Sequence, residues 1–484
     1  MTQSRISASI DPSPALDAAR PSLLERILGI VTEVRAGEGL TAVLLATALF
    51  LLLMAYYIIK PVREALILQH PAGAEYKSWL GAAIALLLLA VVPAYSKLAD
   101  RLPRNLLVSG VTLFFASHLV LFYGASVTPG VRESLSLSLI FFVWVGIFNM
   151  MLVAQLWAFA NDIYDQERGK RLFVIVGLGA SFGAIAGGTI TSALSSVFDM
   201  FDLLLLSAVF LIGVAAIAQV VHRREGRAAA RAASRPGSEA PGALPAAEKR
   251  DESGAFAIVF RHRYLLLIAA FSLVFNFVNT NGEYMFGKLI KSAADSAVAA
   301  GTLHADEVRS FIGGRYNTFF TAVNVLSFVF QFLVVSRLLK RAGFGPSFFI
   351  FPVIALLDGS AVAIAPVLGV LFVGKIAENS TDYSLNNTLR NMLWLPTTRE
   401  MKYKAKQAVD TFFVRMGDVA SGAWVVLGAG VLQLGVRGFA VTNAVLAAVW
   451  LWLAWAIVRE QRRLEAPPAE ATPAEATPAE ATPA

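Results

Sequence analysis

The chemistry of this chain lies in charged residues set within stretches otherwise suited only to lipid. Residues 52–68 read LLMAYYIIKPVREALIL and carry Lys60, Arg63 and Glu64. Residues 373–385 read VGKIAENSTDYSL and carry Lys375, Glu378 and Asp382. A charge in hydrocarbon costs about 2.5–3.5 kcal/mol on insertion scales, so such residues mark a polar interior site by default. Helical spacing groups them: Lys60 and Glu64 at i, i+4, Lys375, Glu378 and Asp382 at i, i+3, i+7, and Arg415 and Asp418 at i, i+3. Two readings stand side by side. Either the stripes line a cavity that binds solute and a proton, or they are internal ion pairs that pin neighbouring helices. For proton binding, Glu378 and Asp382 are the acids best placed, although Lys375 favours the ionised form of Glu378.

Composition says what surrounds these charges. Of 484 residues, 56% are hydrophobic and 15% charged, where a soluble globule would carry about 25% charge. There is no cysteine, and the five histidines form no H-x-x-x-H pair. No thiol chemistry, metal site or cofactor is expected, and no G-x-x-x-x-G-K-[ST] supports ATP hydrolysis, so the chain is not read as an enzyme.

Apolar runs of about 20 residues recur along the chain and read as twelve transmembrane helices, an all-α polytopic protein. Six fall in 40–221 and six in 263–457, with a polar arm at 1–39, a linker at 222–262 rich in Ala, Arg, Gly and Pro, and a proline-repeat tail at 458–484 expected to be disordered. The arm shows no signal peptide, and residues 23–34 read either as a surface amphipathic helix or as an ordinary lead-in. With the N-terminus in the cytoplasm, Lys and Arg divide 30 to 7 in favour of that side. This supports the span count and puts both termini in the cytoplasm, and the membrane expected is the bacterial cytoplasmic one. The net charge of +7 then reflects topology rather than nucleic-acid binding. Six spans, a linker and six spans is the plan of a carrier with its site between two halves. Pro61 reads as a kink or as the break of a binding region. The glycines Gly177, Gly179, Gly183, Gly187 and Gly188 read as close helix packing.

Two sets of motifs carry resemblances. The loop YSKLADRLPRN at 95–105 resembles the helix two–three loop of the major facilitator superfamily, with Leu98, Ala99, Asp100, Arg101 and Arg104 matching. In that fold Asp100 and Arg101 would latch a cytoplasmic gate. The run at 157–188 resembles the segment after the fourth helix of the plastid- and parasite-type ATP/ADP translocases, with Trp157, Phe159, Asn161, Lys170, Arg171, Gly177 and Gly179 matching and Asp162 in place of Glu. Residues 381–422 are similar to that family at Tyr383, Ser384, Leu385, Met392, Pro396, Lys404, Lys406, Asp410, Gly417 and Gly422, and EYMFGK at 283–288 falls where it has Glu-Val-Thr-Trp-Lys. By resemblance Asn161, Asp162, Glu283, Lys288 and Asp418 belong to the gating and coupling set. The chain departs where the family has Lys-Asp (Arg63-Glu64), lysines (Asp382 and Asp418) and Glu (Asn391).

The resemblance implies a secondary transporter that exchanges nucleotides or a related anionic metabolite by alternating access. Lys60, Arg63, Lys375, Arg390 and Arg415 would face the solute together with Glu64, Glu378 and Asp382. Its partners would be a small anionic solute and the lipid bilayer. Proton-coupled carriage of another organic solute, and a non-transporting scaffold or sensor, are the alternatives.

Overall fold

The computed structural model of the protein describes residues 22–465, except 100, 165, 196, 234–254, 399–400 and 402–404. All regular structure among the described residues is helical. In chain order the elements are α1 (Leu23–Leu28), α2 (Gly39–Leu68), α3 (Gly73–Ala99), α4 (Arg104–Ser126), α5 (Leu135–Ile163), α6 (Gln166–Leu194) and α7 (Asp202–Ala233). There follow α8 (Ala255–Arg261), α9 (Arg263–Ala299), α10 (Val308–Val329), α11 (Ser336–Ala342), α12 (Phe344–Ile364), α13 (Leu368–Thr381), α14 (Asn387–Met392), α15 (Lys406–Ala408), α16 (Val414–Val425) and α17 (Val436–Glu465). Wider π-helical turns join α10 to α11 (Phe330–Val335), α13 to α14 (Asp382–Asn386) and α15 to α16 (Val409–Phe413). Ten helical stretches among the described residues are long and apolar enough to cross a membrane. Of the expected spans, 79–97 lies within α3 and 367–389 covers α13, its π turn and the start of α14.

Backbone groups in hydrocarbon must be satisfied within the segment, which is why apolar runs of this length become helices. α2 is apolar on nearly all sides, and it sits centrally, packed against α5, α6, α7 and α10. Its helix continues through Pro61, which is buried. The ring leaves the Tyr57 carbonyl without its usual i+4 donor but does not break the element.

The glycine ladder of α6 does what close packing requires. A Cβ on Gly179, Gly183 or Gly187 would stand 2.1, 2.2 or 2.6 Å from the carbonyl oxygens of Ala46, Phe50 and Met54 on α2. Gly188 instead meets Thr321 of α10, and Gly177 faces open space. With little hydrophobic drive between helices in lipid, such close backbone contact supplies the association.

The expected amphipathic segment at 23–34 is helical only over α1, which Ser22 and Glu25 close with a capping box. Glu25 also accepts the Gly37 amide at 2.6 Å, tying the lead-in to the start of α2. Glu38 receives both guanidinium nitrogens of Arg171, at 2.9 and 3.0 Å, and the Arg35 amide at 3.0 Å. Arg224 donates to Thr41 at 3.1 Å, which brings the starts of α2 and α6 and the late turns of α7 together at one end of the bundle. At both described ends the expected linker is helical, as the last turns of α7 and as α8. Its middle lies outside the described residues, as do most of the arm and the tail.

Two outcomes are expected. Gly183→Leu must displace the Phe50 carbonyl and should cost at least about 1–3 kcal/mol, read as a lower melting temperature in detergent, whereas Gly177→Leu should leave melting unchanged. Burial pushes the Glu38 carboxyl up, but the Arg171 and Arg35 hydrogen bonds outweigh it and hold the group below 4.5. A depressed carboxylate stabilises the fold above its unfolded value and loses that stabilisation as pH falls through the folded one. The melting difference between wild type and Glu38→Gln should therefore be full near pH 7 and shrink on acidification below about pH 4.

Candidate solute-binding site

Helices α2–α7 and α9–α17 form two groups in the sequence, and the polar contacts between the groups cluster toward the end of the bundle opposite Arg171 and Glu38. Asn317 donates to the Gly188 carbonyl at 3.0 Å, Arg309 to Gln69 at 3.0 Å, Lys288 pairs with Glu75, and Tyr284 donates to Glu75 at 3.2 Å. Toward the other end, Phe173, Gly177 and Ser181 of α6 face Gln331, Phe332, Asn387 and Asn391 across a cleft of about 690 Å³.

Deeper lies a cavity of about 400 Å³, lined among others by Tyr56, Lys60, Arg63, Glu64, Lys77, Phe142, Asn276, Asn279, Thr280, Glu283, Phe320, Asp382, Tyr383, Arg415 and Asp418. Tyr383 lines both cavity and cleft.

A chain of alternating charges runs along its wall. Arg63 pairs with Glu64, whose other oxygen lies 2.9 Å from Lys77. Lys77 reaches Glu283 at 3.2 Å and donates to the Tyr316 hydroxyl at 3.1 Å. Glu283 faces Lys375 at 4.0 Å, and Lys375 pairs with Glu378 at 3.0 Å and donates to Asn279 at 3.1 Å. The chain thus links α2, α3, α9 and α13. Glu64 and Lys375 are 1% and 0% exposed, so each depends on its neighbours for the solvation it has lost.

This geometry corrects several expectations. Lys60 does not pair with Glu64 one turn on. Its ammonium lies 3.8 Å from the centre of the Phe320 ring and 5.4 Å from that of Tyr57, and among the described residues no carboxylate oxygen comes within 4.0 Å of it. Glu64 takes Arg63 and Lys77 instead, because α3 begins at Gly73 and brings Lys77 into the bundle rather than leaving it in a loop. Lys375 and Glu378 do pair, but they sit behind the cavity rather than on its lining. Asp382 does line it and accepts from Asn386 at 2.7 Å. Arg415 pairs with Asp418 at 3.1 Å, and Asp418 also accepts Asn276 at 2.6 Å and Thr280 at 2.7 Å. Arg390 lies off the cavity, 3.5 Å from Asp410 and over the Phe275 ring. Arg101, Asn161 and Asp162 are exposed near the cleft end, and Lys288 is at the opposite end with Glu75. Asp100 lies outside the described residues.

Residues that sequence reading passed over as site residues include Lys77, Glu75 and, on α9, Asn276, Asn279 and Thr280, which form one stripe with the expected Glu283. The stripe has a visible signal, four polar residues at i, i+3, i+4 and i+7 in an apolar helix.

Helices of membrane-spanning length around a charged interior cavity define an integral membrane protein of transporter architecture. The chain belongs to the Major Facilitator Superfamily, whose family model matches residues 45–389. ADP,ATP carrier protein 1 of Chlamydia muridarum is 23% identical over 367 residues, 66% of each chain, so the match spans about two thirds of that relative. ADP,ATP carrier protein 1 of Chlamydia trachomatis is 24% identical over 83% of this chain and 84% of its own. The resemblance to ATP/ADP translocases read from the motifs agrees with these relatives. A crystal structure of a mutant of the nucleoside transporter NupG shares the fold, with a TM-score of 0.55 and 14% identity over 86% of this chain and 99% of its own.

Lys77 is the link of the ion chain between the two groups, and removing one partner of a buried pair costs about 3–5 kcal/mol. Lys77→Met should therefore lower the melting temperature sharply, and adding Glu283→Gln should recover part of the loss by removing one stranded charge.

Proposed function

We propose that the protein is a secondary transporter that moves a nucleotide or a related anionic metabolite by alternating access between two six-span halves, 40–221 and 263–457, with the site between them. On this reading α3 and the segment from α13 to α14 complete twelve spans, and 222–262 links the halves. The charge asymmetry of the loops supports cytoplasmic termini, and with that orientation in a bacterial inner membrane the cleft beside Tyr383 opens inward. The opposite mouth is closed by the ion chain and by the Asn317, Arg309 and Lys288 contacts.

The observation that carries this reading is Lys60. Among the described residues no carboxylate oxygen lies within 4.0 Å of its ammonium, which is flanked by Phe320, Tyr57 and Tyr56 in a cavity that also holds Arg63, Arg415, Phe142 and Tyr383. Cations suit a phosphate, and ring faces suit a base. The lining acids Glu64, Glu283, Asp382 and Asp418 match Lys60, Arg63, Lys77 and Arg415 in number, so the solute's negative charge must find the cation that is not already committed. At about 5 Å and an effective dielectric of 20, one such charge pair is worth roughly 3 kcal/mol.

In proteoliposomes, trapped ADP should accelerate uptake of labelled ATP. Lys60→Met should raise the half-saturating ATP concentration by about ten- to a hundredfold, the range that one lost charge contact of up to about 3 kcal/mol allows. Uptake indifferent to trapped nucleotide, with Lys60→Met unchanged, would remove nucleotide exchange as the activity.

A further inference from the structure

A second group of charges lies away from the cavity, at the end of the bundle where Arg171 meets Glu38. Val220, Arg223, Arg224 and Arg227 fall at i, i+3, i+4 and i+7 on α7, one stripe that turns from apolar to basic where the apolar stretch of the helix ends. The stripe lines a pocket of about 740 Å³ together with Glu38, Leu40 and Leu44 at the start of α2, Arg168 of α6 and Glu225.

Four arginines thus face two carboxylates, and both carboxylates are engaged. Glu38 takes two nitrogens of Arg171 and lies 3.5 Å from Arg168. Glu225 accepts the Thr41 hydroxyl at 2.6 Å and lies 3.7 Å from Arg168. Among the described residues no carboxylate oxygen lies within 4.0 Å of Arg223, Arg224 or Arg227. Arg224 is held by neutral acceptors instead, the Thr41 hydroxyl at 3.1 Å and the Gly37 carbonyl at 3.2 Å. Three like charges within little more than one helical turn repel one another, and a bound anion relieves that repulsion.

The other wall of the pocket says what carries the anion. Leu40 and Val220 are 45% and 52% exposed beside the basic end. One candidate membrane span begins at Gly39 and another ends at Arg227, so the pocket sits at the depth of lipid headgroups with its apolar side toward the acyl chains. The lead-in adds a second apolar surface: Leu23, Ile27, Ile30 and Val31 are all exposed, and Glu25 ties that segment to the Gly37 amide beside the pocket. A free phosphate or a nucleotide would leave this edge bare, whereas a phospholipid matches both parts.

We propose that the pocket binds an anionic phospholipid, its phosphate among Arg223, Arg224 and Arg227 and its acyl chains against Leu40, Leu44 and Val220.

With the orientation proposed above this end faces the cytoplasm, where basic pockets between spans are suited to such headgroups. Guanidinium forks match phosphate oxygens two at a time. The bound lipid joins the start of α2 to the end of α7. It calls for no particular solute, so the proposal stands or falls separately from the nucleotide reading.

Native mass spectrometry of the purified full-length protein in neutral detergent at low salt tests it, with dioleoyl phosphatidylglycerol as the probe and zwitterionic dioleoyl phosphatidylcholine as the comparison. Phosphatidylglycerol should bind more tightly than phosphatidylcholine and raise the melting temperature. Arg223→Gln with Arg227→Gln should weaken phosphatidylglycerol binding by roughly twenty-five-fold, about fivefold for each basic residue lost. Melting without added lipid should be unchanged, since neither guanidinium has an ion-pair partner to lose among the described residues. Should the double variant misfold, Arg227→Gln alone with an expected loss of about fivefold serves the same end. Arg462→Gln with Arg463→Gln, which removes two exposed arginines at the end of α17, should leave binding as in wild type. Inorganic phosphate, glycerol phosphate and ADP at millimolar concentration should not displace the lipid. Equal binding in wild type and the Arg223 and Arg227 variants, or equal weakening in the α17 variant, overturns the proposal in favour of general surface attraction. Displacement by any of the three soluble anions overturns it in favour of a soluble-anion site.

Discussion

A buried run of opposite charges that must stay in contact is the constraint on which this structure depends. Arg63, Glu64, Lys77, Glu283, Lys375 and Glu378 lie among helices that offer little other solvation. Taking an ion out of water costs several kcal/mol even after relaxation, and it is offset only where partners are close and well oriented. The inner members of the run each touch two opposite charges, so α2, α3, α9 and α13 can part only by exposing ions or replacing their partners. A hydrated mouth or an arriving charged solute can provide that replacement, whereas lipid cannot. On the carrier reading proposed above, the network is the seal that an entering solute or water would open.

Around the ion run, glycines set how closely the helices approach. The glycines of α6 let its backbone touch that of α2, and Gly417 brings α16 against the Leu273 carbonyl and the Phe277 amide of α9. Contacts this close forfeit much van der Waals energy on a small shift, so they favour movement as a body. Between α2–α7 and α9–α17 the contacts include hydrogen bonds and ion pairs that water can exchange, beside close approaches such as Gly188 to Thr321 and Gly422 to Ala82. On the proposed carrier reading, the exchangeable polar contacts are the ones that two discrete arrangements would make and break.

The cavity differs from a simple phosphate trap. Asp382 and Asp418 stand where the resemblance to the translocases would put lysines, and Asp418 is held by Asn276, Thr280 and Arg415. On the proposed reading Lys60 is the cation left to meet a solute, set against rings instead of a carboxylate. An ammonium against ring faces is held by a weaker and less directional attraction than an ion pair, so less is lost when it turns toward a phosphate.

Much of the fold was legible in the sequence because its physical cause is local. Apolar runs long enough to span a bilayer must become helices, since no other open segment satisfies its own backbone in hydrocarbon. The pairs Lys375–Glu378 and Arg415–Asp418 formed as their spacing of three predicts, and of the glycine ladder Gly179, Gly183, Gly187 and Gly188 pack closely while Gly177 does not. What spacing could not decide was the choice among partners. Lys60 and Glu64 share a helix face, yet Glu64 turned to Arg63 and to Lys77 of the next helix, while Lys60 settled against Phe320 of a helix more than two hundred residues away. Asp358 is one acid in an apolar run of α12, and only packing shows that Gly374 of α13 makes room for its carboxyl. Sequence by itself determined which residues are helical and which charges are trapped inside. Tertiary structure alone decided which of those charges meet, because a buried ion takes whichever counter-charge the neighbouring helices bring within about 4 Å, and that neighbourhood is a property of the packed bundle.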